Sequence, residues 1–264
     1  MIRKLLYHLR SGTVLNVSTR WLKRRLLYAH SGDALRPSQL IVRWRDVRNV
    51  IRYGVNAPKF AEGIMIAPSA CLISNKVFLP WQQHSATVVE SWPYKHGDLV
   101  PASQALKMEI QSDLVGVLKS GMEHWLMGVP WQETWNYKRI VRDLNADGFF
   151  CANQLGSREE LDRRCMQLDL LFARVRREKR LMKRSECTPS AFREEDSTMI
   201  HVGPNCELVV AGLGLHRFTI ALILGLPYIP AQIGCVHRCA IYMLPGLRSA
   251  SVVENPRQEE EKSN

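Results

Sequence analysis

A short glycine-rich segment carries the residue types best suited to chemistry in this chain. Gly212-Leu213-Gly214-Leu215-His216-Arg217 follows the apolar run of residues 207–211, which predicts a strand, a turn and the start of a helix. The first N–H groups of a helix lack partners and lie at its positive end, so they attract anions. Gly212 and Gly214 would let a phosphate group approach the backbone closely.

The His216-Arg217 pair stands where this predicted helix begins. Arg217 offers a planar fork of donors suited to phosphate, and it precedes an apolar helix on which an unpaired charge would be costly. The alternative for Arg217 is a structural salt bridge to a carboxylate such as Glu207. His216 would donate to the same phosphate or act as an acid or base, and its alternative is a helix-capping role.

The same segment resembles the signature of the ParB/sulfiredoxin-like superfamily. In that signature a Gly-x-His-Arg turn follows a strand and leads into a helix, a glycine and a short strand ending in Ile-Pro. The resemblance covers about residues 198–238, and a second stretch at 128–137 resembles a segment of uncharacterised ParB-like proteins. The matching residues of the signature are Gly214, His216, Arg217, Ala221, Gly225, Ile229 and Pro230.

The resemblance implies a nucleotide-phosphate site. Chromosome-partitioning members bind CTP and DNA, free-serine kinase members use ADP, and sulfiredoxins use ATP with a catalytic cysteine. Leu215 stands where that cysteine would be, which argues against sulfiredoxin chemistry. The arginine-rich first box and the helix-turn-helix of the partitioning proteins have no counterpart that we recognise. The implied cofactor is a nucleoside triphosphate or diphosphate with Mg²⁺, and the implied partner is a nucleotide or a phosphorylated small molecule.

Glu133 is the candidate catalytic carboxylate if phosphate is transferred. It lies in Trp131-Gln132-Glu133-Thr134-Trp135, where it would act as a base or as a magnesium ligand. The spacing of Trp131 and Trp135 is also that of core packing in a helix, and a glutamate near a helix start favours the dipole. Both interpretations stay open at this stage.

A second cluster of reactive side chains lies at Cys235-Val236-His237-Arg238-Cys239. On an extended strand, Cys235, His237 and Cys239 would share one face. Because zinc sites need four suitably spaced ligands, we predict no metal site here. The favoured interpretation is an edge strand near the glycine turn, from which His237 or Arg238 would reach a bound phosphate.

The positive charge of the chain is concentrated at its N-terminal end. The formal net charge is +11, and residues 1–53 hold twelve Lys and Arg against two Asp, which is +10. A basic segment that also contains Tyr7, Trp21, Tyr28 and Trp44 predicts contact with nucleic acid or with an acidic membrane surface. The alternative is the solvated face of amphipathic helices.

Cysteine usage and hydropathy indicate the cellular compartment of the protein. The seven cysteines are odd in number, scattered and without a Cys-x-x-Cys pair, which is typical of reduced thiols in a cytoplasm. We find no convincing secretory signal. The longest apolar run, residues 218–230, is too short to span a membrane, so no transmembrane segment is predicted.

The elements that would position these residues mix helices and strands, so we predict an α+β fold with a small mixed sheet. Helices are expected at 102–127, ended by Gly128, at 131–145, and at 157–183, where Ser157 and Glu160 form a capping box. Strands are expected at 64–66, 76–79 and in the hairpin of residues 200–210, with a strand-like run at 39–45.

Three regions follow from these patterns: a basic helical appendage at 1–35, a ParB/sulfiredoxin-like domain at 36–250 with a helical insertion at about 102–183, and a disordered tail at 251–264. The leading hypothesis is a cytoplasmic nucleotide- or phosphate-binding protein, and whether it is a small-molecule kinase, a nucleotide hydrolase or not an enzyme stays open. The rival hypothesis is a non-enzymatic DNA-binding or regulatory protein. A diverged scaffold without activity is a third.

Overall fold

The computed structural model describes residues 37–74, 85–110, 112–147, 150, 155–188, 193–195 and 197–250. The predicted appendage at 1–35, the predicted strand at 76–79 and the predicted tail at 251–264 lie outside these ranges. The helices are α1 Pro37–Tyr53, α2 Ala102–Ala105, α3 Asp113–Met127, α4 Trp135–Asp147, α5 Arg158–Glu178, α6 Arg184–Cys187, α7 Leu215–Ile223 and α8 Leu244–Ala250. The strands are β1 Gly63–Ile66, β2 Leu72–Ser74, β3 Thr87–Val89, β4 Leu99–Pro101, β5 Thr198–Val202, β6 Leu208–Val210 and β7 Ile229–His237.

The described strands form one mixed sheet in the order β1-β7-β5-β6-β2-β4. Strand β5 is parallel to β7 and antiparallel to β6, while β2 is parallel to β6 and antiparallel to β4. On the other side of β7, β1 pairs antiparallel with its first half and β3 pairs parallel with its last residues. The α+β fold with a mixed sheet is therefore confirmed.

The register of the central strands decides which residues share an edge of the sheet. Thr198 pairs with Ala231 and Ile200 with Ile233, so β5 and β7 begin at the same edge. Because β6 is antiparallel to β5, with Ile200 opposite Val210, β6 ends at that edge. The glycine turn after β6 consequently lies beside the start of β5, and the last residues of β7 lie at the far edge.

The main hydrophobic core lies where helices α3 and α7 cover the sheet. Its fully buried side chains include Leu118 of α3 and Phe218 of α7, packed with Ile200 and Ile233 of the central strands. The apolar helix that follows the glycine turn is thus a core helix. Leu215 in its first turn also packs against this core.

A second hydrophobic cluster joins helices α4 and α5, and it includes Trp131, Tyr137, Ile140, Leu161 and Leu168. The half-exposed carboxylate of Asp169 closes one side of it. Asp169 Oδ1 lies 3.0 Å from His124 Nε2 and accepts from Trp125 Nε1 at 3.0 Å and Trp131 Nε1 at 3.1 Å. One carboxylate therefore links α3, α5 and the turn at Trp131–Glu133.

The strand-like interpretation of residues 39–45 is wrong, because this run belongs to helix α1. Among the residues of α1 whose side chains the structure describes, the buried ones are Val42, Asp46 and Asn49, which recur at helical spacing. Two of the three are polar. Asp46 accepts from Phe60 N at 2.7 Å and pairs with Arg193, while Asn49 donates to Pro58 O. Hydrophobic periodicity alone does not predict a buried helix face that is largely polar.

The expected helix at 102–127 is interrupted. Helix α2 ends at Ala105, and α3 begins after Ser112, whose hydroxyl accepts from Val115 N. Gly128, with φ 73°, ends α3 as predicted. Ser157 caps α5 as predicted, but the Glu160 carboxylate bonds Gly156 N rather than the cap residue. No helix among the described residues is long and apolar enough to cross a membrane.

Candidate functional site

The glycine turn packs directly against the first residues of β5. Gly214 is the N-cap of α7 with φ 66°, and its carbonyl accepts from Thr198 Oγ1 at 3.3 Å. Leu213 O accepts from Met199 N at 3.2 Å. A Cβ on Gly214 would lie 2.5 Å from Thr198 N, so only glycine fits here. Gly212, with φ 81°, also adopts the left-handed conformation.

The N-terminal end of α7 has no side-chain cap. Gly214 has no side chain that could accept a hydrogen bond from the first N–H groups of the helix. There is also no acidic residue in the first turn of α7. The positive end of this helix dipole is therefore left without a negative group from its own segment.

Arg217 extends from this first turn towards the segment that joins α5 to α6. Its Nη2 donates to Met182 O at 2.6 Å, and a hydrogen bond links it to the Cys187 side chain. Its Nε is buried and has no hydrogen-bond partner among the described residues. Burial is the main influence on the guanidinium, and it lowers the pKa of Arg217.

None of the salt bridges among the described residues includes Arg217. The predicted alternative partner, Glu207, accepts from Asn205 N at 2.8 Å in the hairpin between β5 and β6. That hairpin lies at the opposite end of β6 from the glycine turn. The salt-bridge interpretation of Arg217 with Glu207 is therefore wrong.

Besides the Cys187 side chain, the carboxylate of Glu194 is an acidic group whose charge acts on Arg217. It is buried and already accepts from Arg184 N at 3.1 Å and from Ser197 Oγ at 2.7 Å. The positive charge of Arg184 acts on Arg217 in the opposite sense. Glu194 thus moderates the charge of Arg217 without forming an ion pair with it.

His216 is neutral at physiological pH in this environment. Burial, with a smaller effect from the nearby Arg164, lowers the pKa of His216 to about 4. A neutral imidazole can donate a hydrogen bond to a phosphate oxygen, but it adds no positive charge. Of the two residues, Arg217 therefore supplies the charge and His216 can supply only a hydrogen bond.

Little open space adjoins Arg217. The cavity beside it has a volume of about 20 Å³ and is closed by residues that include Leu181, Met182 and Cys187. This is room for about one water molecule. This cavity is too small for a phosphate group unless the segment at 181–187 shifts.

Among the described residues, no hydrogen bond or ion pair joins the other predicted candidates to the turn. Glu133 is exposed, and no hydrogen bond or ion pair among the described residues joins its side chain to the turn. His237 and Arg238 follow the far end of β7, about 20 Å from Ala231 at ~3.3 Å per residue. The expectation that either would reach a phosphate at the turn is wrong.

The Cys235–Cys239 segment also departs from the predicted geometry. The strand ends at His237, and Cys239 belongs to a 3₁₀ turn at Arg238–Met243, so the three residues do not share one strand face. Cys235 is fully buried. No group of three His, Cys, Asp or Glu side chains among the described residues has the arrangement of a metal site.

A further feature, missed in the sequence, is an open groove of about 400 Å³ between α4 and the start of α5. Its lining includes Lys138, Arg142 and Arg158, and no carboxylate among the described side chains. The signal was present in the sequence as two basic residues four apart, followed by an arginine just after the Ser157 cap. These three residues did not stand out, because Lys and Arg occur along the whole chain.

Comparison of the chain with protein-family models, with curated proteins and with solved structures gives no match in any of the three.

Proposed function

We propose that this chain binds the phosphate of a nucleotide or of a phosphorylated small molecule at the N-terminal end of α7, as its resemblance to ParB/sulfiredoxin-like proteins implies. Gly212 and Gly214 would admit the phosphate, and the N–H groups after them would cradle it. Arg217 would neutralise its charge, and His216 would donate a hydrogen bond.

One observation carries this proposal: Arg217 is a mostly buried cation without a carboxylate partner among the described residues. Burying a charge without an ion pair is costly, so folded proteins rarely keep such a group unless it has another purpose. A phosphate at the uncapped end of α7 would supply the missing negative charge for both the guanidinium and the helix dipole.

Binding would require a local opening. The segment at 181–187 closes the cavity beside Arg217, and its Met182 carbonyl holds the guanidinium. A phosphate that replaced this carbonyl would form a stronger, charge-assisted hydrogen bond. The ligand would thus gain affinity from the exchange of a neutral acceptor for an anionic one.

Whether the bound nucleotide reacts is a separate part of the proposal. In the kinase or hydrolase version, Mg²⁺ would neutralise phosphate charge, and Glu133 would be the candidate base or magnesium ligand. The described residues offer no three-ligand group, so Mg²⁺ would be held chiefly by the nucleotide itself. We also propose a cytoplasmic location, on the basis of the scattered cysteines.

A thermal-shift screen tests phosphate binding. The full chain is heated with ATP, ADP, CTP or GTP, each with Mg²⁺, because a ligand that binds only the folded state raises the melting temperature. We expect one nucleotide to raise it in the wild type and not in Arg217→Ala.

Arg238→Ala is the matched control for this screen. Arg238 is an exposed arginine whose partner, Glu90, lies beyond the far edge of the sheet, so its removal changes the net charge equally. The control should keep the full shift. Absence of a shift with every nucleotide at millimolar concentration, or an equal shift in Arg217→Ala, would refute the proposal.

Nucleic-acid binding is the second candidate, and the exposed face of α1 favours it. Arg43, Arg48 and Arg52 are exposed on this helix beside Trp44, which is 68% exposed. Cations around an exposed aromatic ring suit a phosphate backbone with a stacked base. The preceding residues 1–36 add further positive charge.

The nucleic-acid candidate makes a distinct prediction. Binding of an oligonucleotide should weaken steeply with salt and should fail in Arg48→Glu, while nucleotide binding at α7 should survive this change. Arg176→Glu, at an exposed position on α5, controls for net charge. Equal oligonucleotide affinity in both variants would remove α1 from consideration.

A further inference from the structure

The groove between α4 and α5 concentrates positive charge around an open cavity. It has a volume of about 400 Å³, which lies within the usual range for a small-molecule site. Lys138 and Arg142 stand on one wall, and Arg158 stands on the other. No carboxylate among the described side chains lines it, so these three charges have no negative group within the groove.

The protein compensates these three cations only in part. Lys138 and Arg142 are four residues apart on α4, where two like charges repel one another, and Arg142 Nε also lies 3.5 Å from Asp143 Oδ1 in a partly exposed ion pair. Arg158 is the first residue of α5, where the positive end of the helix dipole disfavours a cation, while its hydrogen bond to Tyr137 and nearby carboxylates raise the pKa of its guanidinium. A bound anion would relieve the repulsion between Lys138 and Arg142 and would offset the helix dipole at Arg158.

One of these cations is held in place by the floor of the groove. Arg158 Nε donates to Tyr137 Oη at 3.2 Å, and its guanidinium lies 5.9 Å from the centre of the Tyr137 ring. The Tyr137 hydroxyl donates in turn to Asp162 Oδ1 at 2.6 Å. Because Tyr137 is buried in the second hydrophobic cluster, this chain of contacts gives Arg158 a fixed orientation.

The remaining lining indicates the size and chemistry of the ligand. Gln132 and Asn145 provide amide groups, and Val141 provides apolar surface between the charges. Tyr137 is only 3% exposed, so the groove has no open aromatic face on which a base could stack. The lining therefore suits a compact ligand with several phosphate oxygens better than a strand of nucleic acid.

We propose that this groove binds a small ligand that carries two or more phosphate groups, through Lys138, Arg142 and Arg158. The site is separate from the one proposed at α7 and does not depend on it. Two or three linked phosphates offer more anionic oxygens to these three cations than a single phosphate does. Affinity should accordingly rise from inorganic phosphate to pyrophosphate and tripolyphosphate.

Calorimetric titration of the full chain with pyrophosphate at low salt tests the proposal. We expect the double variant Lys138→Ala, Arg142→Ala to bind at least tenfold more weakly than the wild type. The matched control is Arg176→Ala, Lys179→Ala, which removes another exposed basic pair, three residues apart at the C-terminal end of α5 and outside the groove lining. The control should bind within twofold of the wild type.

Further titrations distinguish binding in this groove from binding at α7 and from a general effect of net charge. Arg217→Ala should leave pyrophosphate binding in the groove intact. If binding disappears in Arg217→Ala but not in the groove variant, the groove proposal is overturned while the α7 proposal stands. Equal weakening in the groove variant and its control would also overturn it, because the effect would then be one of net charge.

A short single-stranded oligonucleotide is titrated alongside to identify the source of the phosphates. Tripolyphosphate should compete with it fully for any groove-dependent binding. If the oligonucleotide binds through Lys138 and Arg142 while pyrophosphate and tripolyphosphate do not, the ligand is a nucleic-acid backbone and the proposal is wrong. Lys138 and Arg142 are exposed, so the double variant is expected to fold, and circular dichroism checks this.

Discussion

The two positively charged sites differ in how far their cations are exposed to solvent. Arg217 at the start of α7 is largely buried beside a cavity of about 20 Å³, while Lys138 and Arg142 are exposed along a groove of about 400 Å³. Electrostatic effects are strong in the buried setting and are screened by salt in the open one. Removal of one positive charge should therefore change ligand affinity strongly at α7, with little dependence on salt. In the groove the same removal should change affinity less, and the change should depend on salt.

The sites also differ in what holds them. At α7 the backbone itself is constrained, because Gly214 packs against Thr198 of the central sheet. In the groove one side chain, that of Arg158, is positioned by Tyr137 and through it by Asp162. A substitution in the turn before α7 should consequently lower the stability of the whole fold. A substitution in the groove should change only its immediate surroundings.

The largest expected effect follows from a methyl group at the glycine turn. Gly214→Ala should lower the free energy of unfolding by about 3 kcal/mol, from left-handed strain and from a backbone clash. Gly225→Ala has a similar φ of 61° but open space around its Cβ, so it should cost about 1 kcal/mol. Urea denaturation measures both, and equal losses would contradict the close packing of the turn.

A pH effect at His216 comes next. Its pKa falls from 6.5 to about 4 on folding, so the unfolded chain binds the proton first as pH drops. Stability should therefore decline between about pH 6.5 and 4. His216→Gln should reduce this decline by on the order of 2 kcal/mol.

Buried His201 shifts in the same direction, since burial lowers its pKa to about 3, so some decline should remain in His216→Gln. The groove variant Lys138→Ala, Arg142→Ala serves as the control and should follow the wild-type pH dependence. Denaturation curves collected across this pH range would reveal the difference. Identical pH dependence of the wild type and His216→Gln would show that the ring is not held neutral.

Replacement of Arg217 separates its effect on the stability of the fold from its effect on ligand binding. Arg217→Met keeps most of the side-chain volume and removes the buried charge, so stability should change by only about 1 kcal/mol. Ligand-induced stabilisation should nevertheless fall by the equivalent of at least tenfold in affinity, about 1.4 kcal/mol. Melting curves with and without nucleotide measure both quantities. A large loss of stability without ligand would mean that the bond to Met182 is structural.

The smallest effect is expected at the groove without ligand. Lys138→Ala should relieve the like-charge contact with Arg142 and raise stability by about 0.2–0.5 kcal/mol at low salt. The gain should vanish in high salt, because exposed charges are screened. Chemical denaturation at two salt concentrations measures this. A gain that persists in high salt would point to helix propensity rather than to charge.

Local patterns predicted the elements with strong signals at their ends. The strand at Ile64–Ile66, the hairpin of β5 and β6, the Ser157 cap and the stop at Gly128 are all confirmed. Such features depend on the backbone preferences of a few adjacent residues. The turn before α7 belongs to the same class, because glycine conformational freedom is visible in the sequence.

Features that depend on distant partners were not predictable. Helix α1 buries Asp46 and Asn49 because Arg193, Pro58 and the backbone of Phe60 satisfy them, and these partners lie in other segments. The break between α2 and α3 is similar, since the apolar pattern continues across it. Hydrophobic periodicity therefore identified neither feature.

The sequence by itself determined the α+β class, the glycine turn and the position of Arg217 in a first helical turn, because each depends on local backbone geometry. Only the tertiary structure decided that Glu207 lies away from Arg217, that His237 lies at the far edge of the sheet, and that Met182 contacts the guanidinium. It also brought Arg158 opposite Lys138 and Arg142 to form a groove. Pairing between segments depends on strand register and helix packing, which adjacent residues do not encode.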